Sequence, residues 1–326
     1  MRAAFYTETG GPEVLQVGEV ENPVPGPGEI LVRVAASGVN PTDWKRRAGQ
    51  RGPLPYPRII PGYDAAGTIE AAGPDVDATR AGSRVWVWEG AHGKWDGTAA
   101  ELVRVPASRA LPLPDRVSFD EGACLGVPAI TACHSLLLAA PLDGETVIVT
   151  GAAGAVCNYA VQLAKAMGAT VLAVVRGGEE REEDARSAGA DVVVNTDRDD
   201  FRKAALELTA GKGARAMVDV DLGAHLGFSW RIVAQNGTIA SFGSATDPRP
   251  VLDWPKFMYR NIAIRGVAIF EVPEPAKLAA AGFVQKCLDE GRLWHRIDSR
   301  YPLDRIAEAH RRQESGRPRG KVIVAP

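Results

Sequence analysis

Seven small residues carry the clearest chemical signal in the chain. Gly151 to Cys157 (GAAGAVC) follows an apolar run, Glu145 to Thr150 (ETVIVT), and opens a helical pattern over Val156 to Met167. A buried strand, a tight turn of small residues and a helix N-terminus form a cradle for the pyrophosphate of a dinucleotide. Small side chains admit the phosphates close to the backbone, and the unpaired N–H groups of the first helical turn face the negative charge. Gly151, Ala153, Gly154, Ala155 and Val156 are therefore candidate contacts for a nicotinamide or flavin cofactor.

The elements that must position this turn follow from hydrophobic patterning. Near-continuous apolar runs occupy Thr146–Thr150, Thr170–Val175, Asp191–Asn195, Ala216–Val220 and Thr238–Phe242, with helical stretches such as Glu180–Ala188 and Asp200–Thr209 between them. Apolar strands alternating with helices predict an α/β unit with a doubly wound parallel sheet covered on both faces. Residues before about 120 read differently. Ile30–Ser37, Ala65–Ala72, Arg84–Trp88 and Ala100–Val105 are short strands separated by Pro/Gly turns such as Asn22–Gly28 (NPVPGPG), which favours a small β-barrel. After about residue 265 the alternation stops. Helices are expected over Pro273–Glu290 and Leu303–Ser315, and a last strand over Lys321–Val324. This tail is too short for its own core and is expected to pack back on the first domain.

Composition narrows the class of function. At 326 residues the chain is long enough for two cores, and a net charge of −2 gives no electrostatic reason to expect nucleic acid or an anionic membrane as partner. No apolar run approaches the roughly 18 residues that span a bilayer. The opening MRAAFYTETG lacks the apolar core of a secretory signal, so a cytoplasmic location is expected. Cys124, Cys133, Cys157 and Cys287 show no C-x-x-C spacing, and the five histidines show no i,i+4 pair, so no metal site is expected. Each cysteine reads as a small buried hydrophobe.

Several segments, in order and nearly end to end, carry a family resemblance: Gly10–Leu15 (GGPEVL), Pro25–Ile30 (PGPGEI), Gly38–Pro41 (GVNP), Pro61–Gly67 (PGYDAAG), Gly126–Ala132 (GVPAITA), the GAAGAVC turn, Gly189-Ala190 and Arg319–Lys321 (RGK). Together they resemble the zinc-free branch of the medium-chain dehydrogenase/reductase superfamily, the quinone oxidoreductases related to ζ-crystallin. The resemblance implies a GroES-like β-barrel catalytic domain made of residues 1–122 and 266–326, with a Rossmann domain for NADPH inserted at 123–265. It implies hydride transfer from NADPH to a quinone or an activated C=C bond, and a homodimer joined at the Rossmann sheet edge near Asn261–Val267.

Zinc-dependent relatives carry a cysteine in the segment where this chain has Gly38-Val39-Asn40 and a histidine in the segment Gly62-Tyr63-Asp64. Asn40 and Tyr63 are poor zinc ligands. Alcohol oxidation needs a stabilised alkoxide, which the metal provides. Conjugate reduction leaves a delocalised charge on oxygen that neutral donors can stabilise. By this resemblance Asn40, Tyr63 and Lys45, one helical turn beyond, are catalytic candidates. Asn40, preceding Pro41, also fits a helix cap, and Asp43 and Asp64 read as structural. Thr131 aligns with a position beside the nicotinamide, and Phe242, Gly243, Val267 and Ile269 lie in loops implied to hold its carboxamide.

Cofactor choice rests on the end of the second sheet strand. Arg176-Gly177-Gly178 stands where an acidic residue would select NADH, and Arg181 stands where relatives keep a basic residue for the 2′-phosphate. Glu179, Glu180, Glu182 and Glu183 read as a solvated helix face. Arg317, Arg319 and Lys321 offer a second clamp. The turn departs from the A-x-G-G-V-G of relatives: Ala155 adds a methyl near phosphate, and Cys157 adds a side chain where helix and strand pack. Trp88, His92 and Trp95 are candidates for the substrate mouth, whereas Trp86 alternates along a strand and also suits a core. His92 and Lys94 are candidate proton donors. Two further readings stay open: a stand-alone enoyl reductase of a biosynthetic pathway, and a low-turnover NADPH-binding protein with a structural or RNA-binding role.

Overall fold

In the computed structural model, which describes residues 1–326, the chain begins with a two-stranded antiparallel ribbon of β1 (Arg2–Phe5) and β2 (Gln16–Glu19). There follow β3 (Glu29–Val39), α1 (Pro41–Arg47), β4 (Asp64–Ala72), β5 (Arg84–Val87), β6 (Leu102–Pro106), β7 (Ala110–Pro112), α2 (Phe119–Gly122) and α3 (Gly126–Leu137). The middle of the chain holds β8 (Thr146–Thr150), α4 (Ala155–Ala166), β9 (Thr170–Val175), α5 (Glu179–Ser187), β10 (Val192–Asn195) and α6 (Phe201–Leu208). It continues with β11 (Ala214–Asp219), α7 (Leu222–Ile232), β12 (Val233–Ser241), α8 (Trp254–Met258), β13 (Ala263–Gly266) and α9 (Glu274–Asp289). The chain closes with β14 (Ile297–Pro302), α10 (Ile306–Glu314) and β15 (Lys321–Ala325). Two units result: Met1–Val127 with His295–Pro326, and Pro128–Trp294.

The first unit is organised around β3. Its first half pairs antiparallel with β6 and its last residues, Ser37–Val39, pair with β15, while β4 runs along the opposite edge. One strand thus feeds two partners in succession, as a curved barrel wall requires. Period-2 alternation puts Ile30, Val32 and Val34 into a core with Ile69, Val85 and Val103. Trp86, on β5, is fully buried.

In the second unit the strand order is β10-β9-β8-β11-β12-β13, all parallel, with β8 and β11 side by side at the point where the order reverses. Ligands bind at the carboxyl ends of such strands. The expected runs at Thr146–Thr150 and Thr170–Val175 match β8 and β9 to the residue. Strand β12 starts five residues earlier than its apolar run. The added stretch contains Asn236 at φ +60 and its register against β11 shifts, so it carries no regular alternation.

The domain boundary needs correction. Residues 266–294, expected with the barrel, belong to the sheet unit. Helix α9 buries Ala280, Ala281, Val284 and Leu288 and packs on α4. The segment is closed by reciprocal bonds: the Trp294 amide donates to Gln162 Oε1 at 2.7 Å, and Gln162 Nε2 donates to the Trp294 carbonyl at 3.1 Å. Only β14, α10 and β15 return to the barrel. Strand β14, absent from the sequence reading, has mostly exposed or half-buried residues and so lacks a hydrophobic pattern.

Candidate functional site

Strand register gathers the first cluster. Gly38 on β3 pairs with Asp64, the first residue of β4, and Val39 pairs with Val322 of β15. Asn40, Asp64 and Lys321 therefore meet at one end of three neighbouring strands. Lys321 Nζ donates to Asn40 Oδ1 and to Asp64 Oδ2, both at 2.6 Å, and Asn40 Nδ2 donates to Asp64 Oδ2 at 2.8 Å. Asp64 also accepts the Val127 amide at 2.8 Å. All three side chains are buried. Gly38 makes room for them, since a Cβ there would lie 2.4 Å from Lys321 Cε and 2.2 Å from the Ala123 carbonyl oxygen.

Asn40 occupies the N-cap position of α1 with extended backbone, ahead of Pro41. Its amide N–H donates to Asp43 Oδ2 at 2.7 Å, and Asp43 Oδ1 accepts the Gly62 amide at 3.0 Å. Asp43 thus ties the start of α1 to Gly62, and Asp64 ties β4 to Lys321 and Val127. Burial pushes the Asp43 carboxyl up to about 7, although the two backbone donors oppose the shift. The Asn40 side chain bonds Asp64 and Lys321, while Asn40 and Asp43 form a capping box at the start of α1. Lys321, a candidate cofactor clamp with Arg317 and Arg319, instead has its buried ammonium bonded to Asn40 and Asp64, which corrects that role. Arg317 is exposed, and the Arg319 amide is bound to Asp298 Oδ1 at 2.8 Å. Lys45 is half-buried, with its ammonium 5.8 Å from the centre of the Trp44 ring.

A cavity of about 280 Å3 in the same unit is lined by Tyr6, Asp43, Arg46, Ile59, Tyr63 and His92, among others. Tyr63 is buried and bonded to Arg46; burial first, then the Asp43 charge, raises its phenol above the ordinary range and keeps it a neutral donor. Trp95 is half-buried against the core and lies under the Arg58 guanidinium at 5.1 Å. Trp88, expected at the substrate mouth, is only 1 % exposed, with Arg109 stacked 5.4 Å from its ring centre, so it offers no open face. Lys94 is bonded to the Asp96 carbonyl at 2.8 Å, and burial lowers it to about 8.

The second cluster lies in the sheet unit. Gly151 adopts φ +67, and a Cβ there would meet Val220 at 2.7 Å, which explains why glycine opens the turn. The Gly154 amide closes the turn on the Gly151 carbonyl at 2.8 Å, and Gly154 caps α4 without any side-chain bond to its N–H groups. That leaves an electropositive helix start beside a backbone free of bulky side chains, which fits a pyrophosphate. Ala153, Ala155 and Val156 stand in this turn and first helical residues, and Cys157 is buried beneath it. Thr150 Oγ1 donates to Asp219 Oδ1 at 2.7 Å and accepts the Val220 amide at 3.1 Å. This ties the end of β8 to the end of β11. Phe242, Gly243, Val267 and Ile269 follow the ends of β12 and β13; the Phe242 amide bonds the Asp219 carbonyl at 3.2 Å and the Val267 amide bonds the Ser241 carbonyl at 2.8 Å. Thr131 is buried in α3.

A groove of about 780 Å3 runs from Thr150 and Gly151 past Val175 and Arg176 to Asp197, Arg198, Arg202 and His225. Arg176 is exposed and 3.1 Å from Asp197. Arg181 lies along Gly177, whose Cβ would meet its Cδ at 3.3 Å. Glu182, read as part of a solvated face, is instead buried: bonds from Arg198, Asn195 and Arg186 hold it at about 2, clamping the turn after β10 beside the turn after β9. Arg198 and Arg202 were missed. The signal was available, because strands β9 and β10 are neighbours and the turn Thr196–Asp200 must lie at the same sheet edge.

Residues 26–115 match a family model described as alcohol dehydrogenase GroES-like domain, and residues 155–283 match one described as zinc-binding dehydrogenase. A quinone oxidoreductase of Lama guanicoe is 33 % identical over 332 residues, which span 99 % of this chain and 97 % of the relative. The structure of Escherichia coli quinone oxidoreductase complexed with NADPH is similar with a TM-score of 0.84 at 25 % identity, covering 100 % of both chains. A structure of an NAD-dependent alcohol dehydrogenase is similar with a TM-score of 0.88 at 30 % identity, again over 100 % of both chains.

Proposed function

The chain belongs to the quinone oxidoreductase family of the medium-chain dehydrogenase/reductase superfamily, and on that premise we propose that it reduces quinones or α,β-unsaturated carbonyl compounds with hydride supplied by bound NADPH, without a metal ion. The observation that carries this reading is the Lys321 ammonium held between Asn40 and Asp64. A built-in cation compensates Asp64 at the place where metal-dependent relatives supply ligands, and it uses the Asn40 oxygen as well. Tyr63 is then left in the cavity lining as a neutral donor.

Gly151, Ala153, Gly154, Ala155 and Val156 present backbone and helix N-terminus to the pyrophosphate. Arg181, with Arg202 along the groove, supplies positive charge for a 2′-phosphate, and the chain carries Arg176, paired with Asp197, where an acidic residue would select NADH. Thr131, Phe242, Gly243, Val267 and Ile269 position the nicotinamide side. Tyr63, held neutral by burial, donates a hydrogen bond to the oxygen that gains charge as hydride reaches the β-carbon; such a donor is worth a few kcal/mol, on the order of 3. Asn40 positions this wall through Asp43 and Asp64, and solvent protonates the α-carbon.

The sheet edge supports a homodimer. Strand β13 pairs only with β12, and Val251, Trp254, Met258 and Tyr259, which precede it in the chain, expose large apolar side chains. No helix is long and apolar enough to cross a membrane.

The test is NADPH consumption with 1,4-naphthoquinone and with an alkenone, before and after dialysis against a zinc chelator. Turnover that survives dialysis is expected. Turnover lost on dialysis and restored by zinc would overturn the metal-free reading, and no NADPH binding at high micromolar concentration would overturn the reading as a whole.

A further inference from the structure

The barrel-unit cavity holds two buried polar groups that the proposed reduction does not use. The hydroxyl of Tyr6 has no hydrogen-bond partner although the residue is 0 % exposed, and the Nε of Arg46 is likewise buried and unpartnered. Both residues line the cavity with Tyr63. Leaving such donors unsatisfied costs free energy. Sequence places them there for separate reasons. Tyr6 follows β1 and is fixed by a bridge to Ile59, its amide donating to the Ile59 carbonyl at 3.0 Å. Arg46 projects from the last turn of α1. The other walls, Ile59, Pro61 and Tyr56, are largely apolar, and the Tyr56 hydroxyl is spent on the Gly93 carbonyl at 2.7 Å.

The geometry points to a carboxylate subsite: Arg46 and Tyr6 bind a carboxylate adjacent to the reacting carbonyl, so that the preferred substrates are unsaturated 2-oxo acids rather than neutral enones. A guanidinium N–H and a phenolic O–H in the lining of one cavity suit the two oxygens of a carboxylate. Tyr63, bonded to Arg46, stands next to them for the keto oxygen. The charge balance of the cavity agrees. Arg46 and Arg51 act on Tyr63, and His92 lies on the wall. The one acid on the wall, Asp43, already accepts the Asn40 and Gly62 amides and is pushed toward its neutral form by burial. Lys94 is committed to Asp96. This inference rests on the reduction proposed above for its substrate class, but the binding site stands apart from it. The reaction would add hydride to C4 of the 2-oxo-3-enoate and a solvent proton to C3, oxidising NADPH to NADP+ and leaving the carboxylate unchanged.

The experiment compares 2-oxo-4-phenylbut-3-enoate with its methyl ester, which removes the charge and keeps the enone. Equilibrium binding to the full chain is measured by calorimetry, with parent, Tyr6→Phe, Arg46→Gln and Arg46→Lys variants whose NADPH affinity and unfolding midpoint confirm folding. The acid is expected to bind ~10-fold or more tightly than the ester in the parent. The ratio should fall close to one in Arg46→Gln, fall several-fold in Tyr6→Phe and recover partly in Arg46→Lys. Equal affinity for acid and ester in the parent, or a preference that survives both Tyr6→Phe and Arg46→Gln, overturns the subsite. Tight acid binding without NADPH consumption for either compound leaves the subsite standing and counts against the reduction instead.

Discussion

Asn40 Oδ1 accepts a 2.6 Å hydrogen bond from Lys321 Nζ across 281 residues of sequence. The same ammonium sits 2.6 Å from Asp64, and all of these groups are buried. A buried pair of this kind is costly to break, because removing one partner strands the other charge. Lys321→Met should therefore destabilise the chain by ~3–5 kcal/mol in urea unfolding, whereas Lys321→Met combined with Asp64→Asn should recover much of the loss. Additive losses in the double variant would show that the pair is not coupled.

Arg181 lies along Gly177, just past the end of β9, and position 176 carries arginine rather than an acid. Arg181→Ala is expected to weaken NADPH binding ~10–100-fold, with NADH affected far less, since one charge-assisted contact to the 2′-phosphate is lost. Fluorescence titration of both nucleotides measures this. A parallel loss for NADH and NADPH would move the discrimination to Arg198 or Arg202.

His310, in α10, is 1 % exposed, and burial holds it down to about 3, with the neighbouring Arg47 charge adding to the shift. In the unfolded chain a histidine titrates near ~6.5. As pH falls below that value the unfolded state takes up a proton that the folded state refuses. Stability should therefore drop between about pH 6.5 and 3, by at most ~1.4 kcal/mol per unit from this residue. His310→Gln should flatten the dependence, seen as a smaller change in urea midpoint between about pH 7.5 and pH 5. Taking the difference between parent and variant removes the opposite contribution of Asp43, whose raised carboxyl stabilises the fold at pH below 7. Identical slopes in the two chains would remove His310 from the account.

Tyr259 is 80 % exposed in the segment that leads into β13, the edge strand of its sheet. If the sheets join there, Ile264→Pro blocks strand pairing and Tyr259→Asp charges the apolar border. Sedimentation should show a dimer for the parent and monomers for both variants. A monomeric parent would end the proposal for this edge.

Much of the nucleotide side was written in local sequence. Apolar runs of strand length, separated by helices, specify buried parallel strands, and Gly151 and Gly154 mark the turn because backbone conformation and close approach demand small residues there. Such signals depend on neighbours in the chain, so β8 and β9 could be located to the residue. The barrel side was legible mainly as alternation. Asn40 and Tyr63 stood out by residue type, but Trp88 could not be told from Trp86, since a strand end that faces solvent and one that faces a core share the same letters.

The sequence by itself determined the two kinds of sheet and the small-residue turn after β8, both of which rest on short-range patterning. Tertiary structure alone decided what the polar residues do. Lys321 reaches Asn40 and Asp64 only because β3 pairs with β4 on one edge and β15 on the other, and Tyr6, fixed by its bridge to Ile59, comes to line one cavity with Arg46 only in the folded chain. Strand pairing and burial join residues that no spacing connects, and they fix which donors are consumed inside the fold and which remain to hold a ligand.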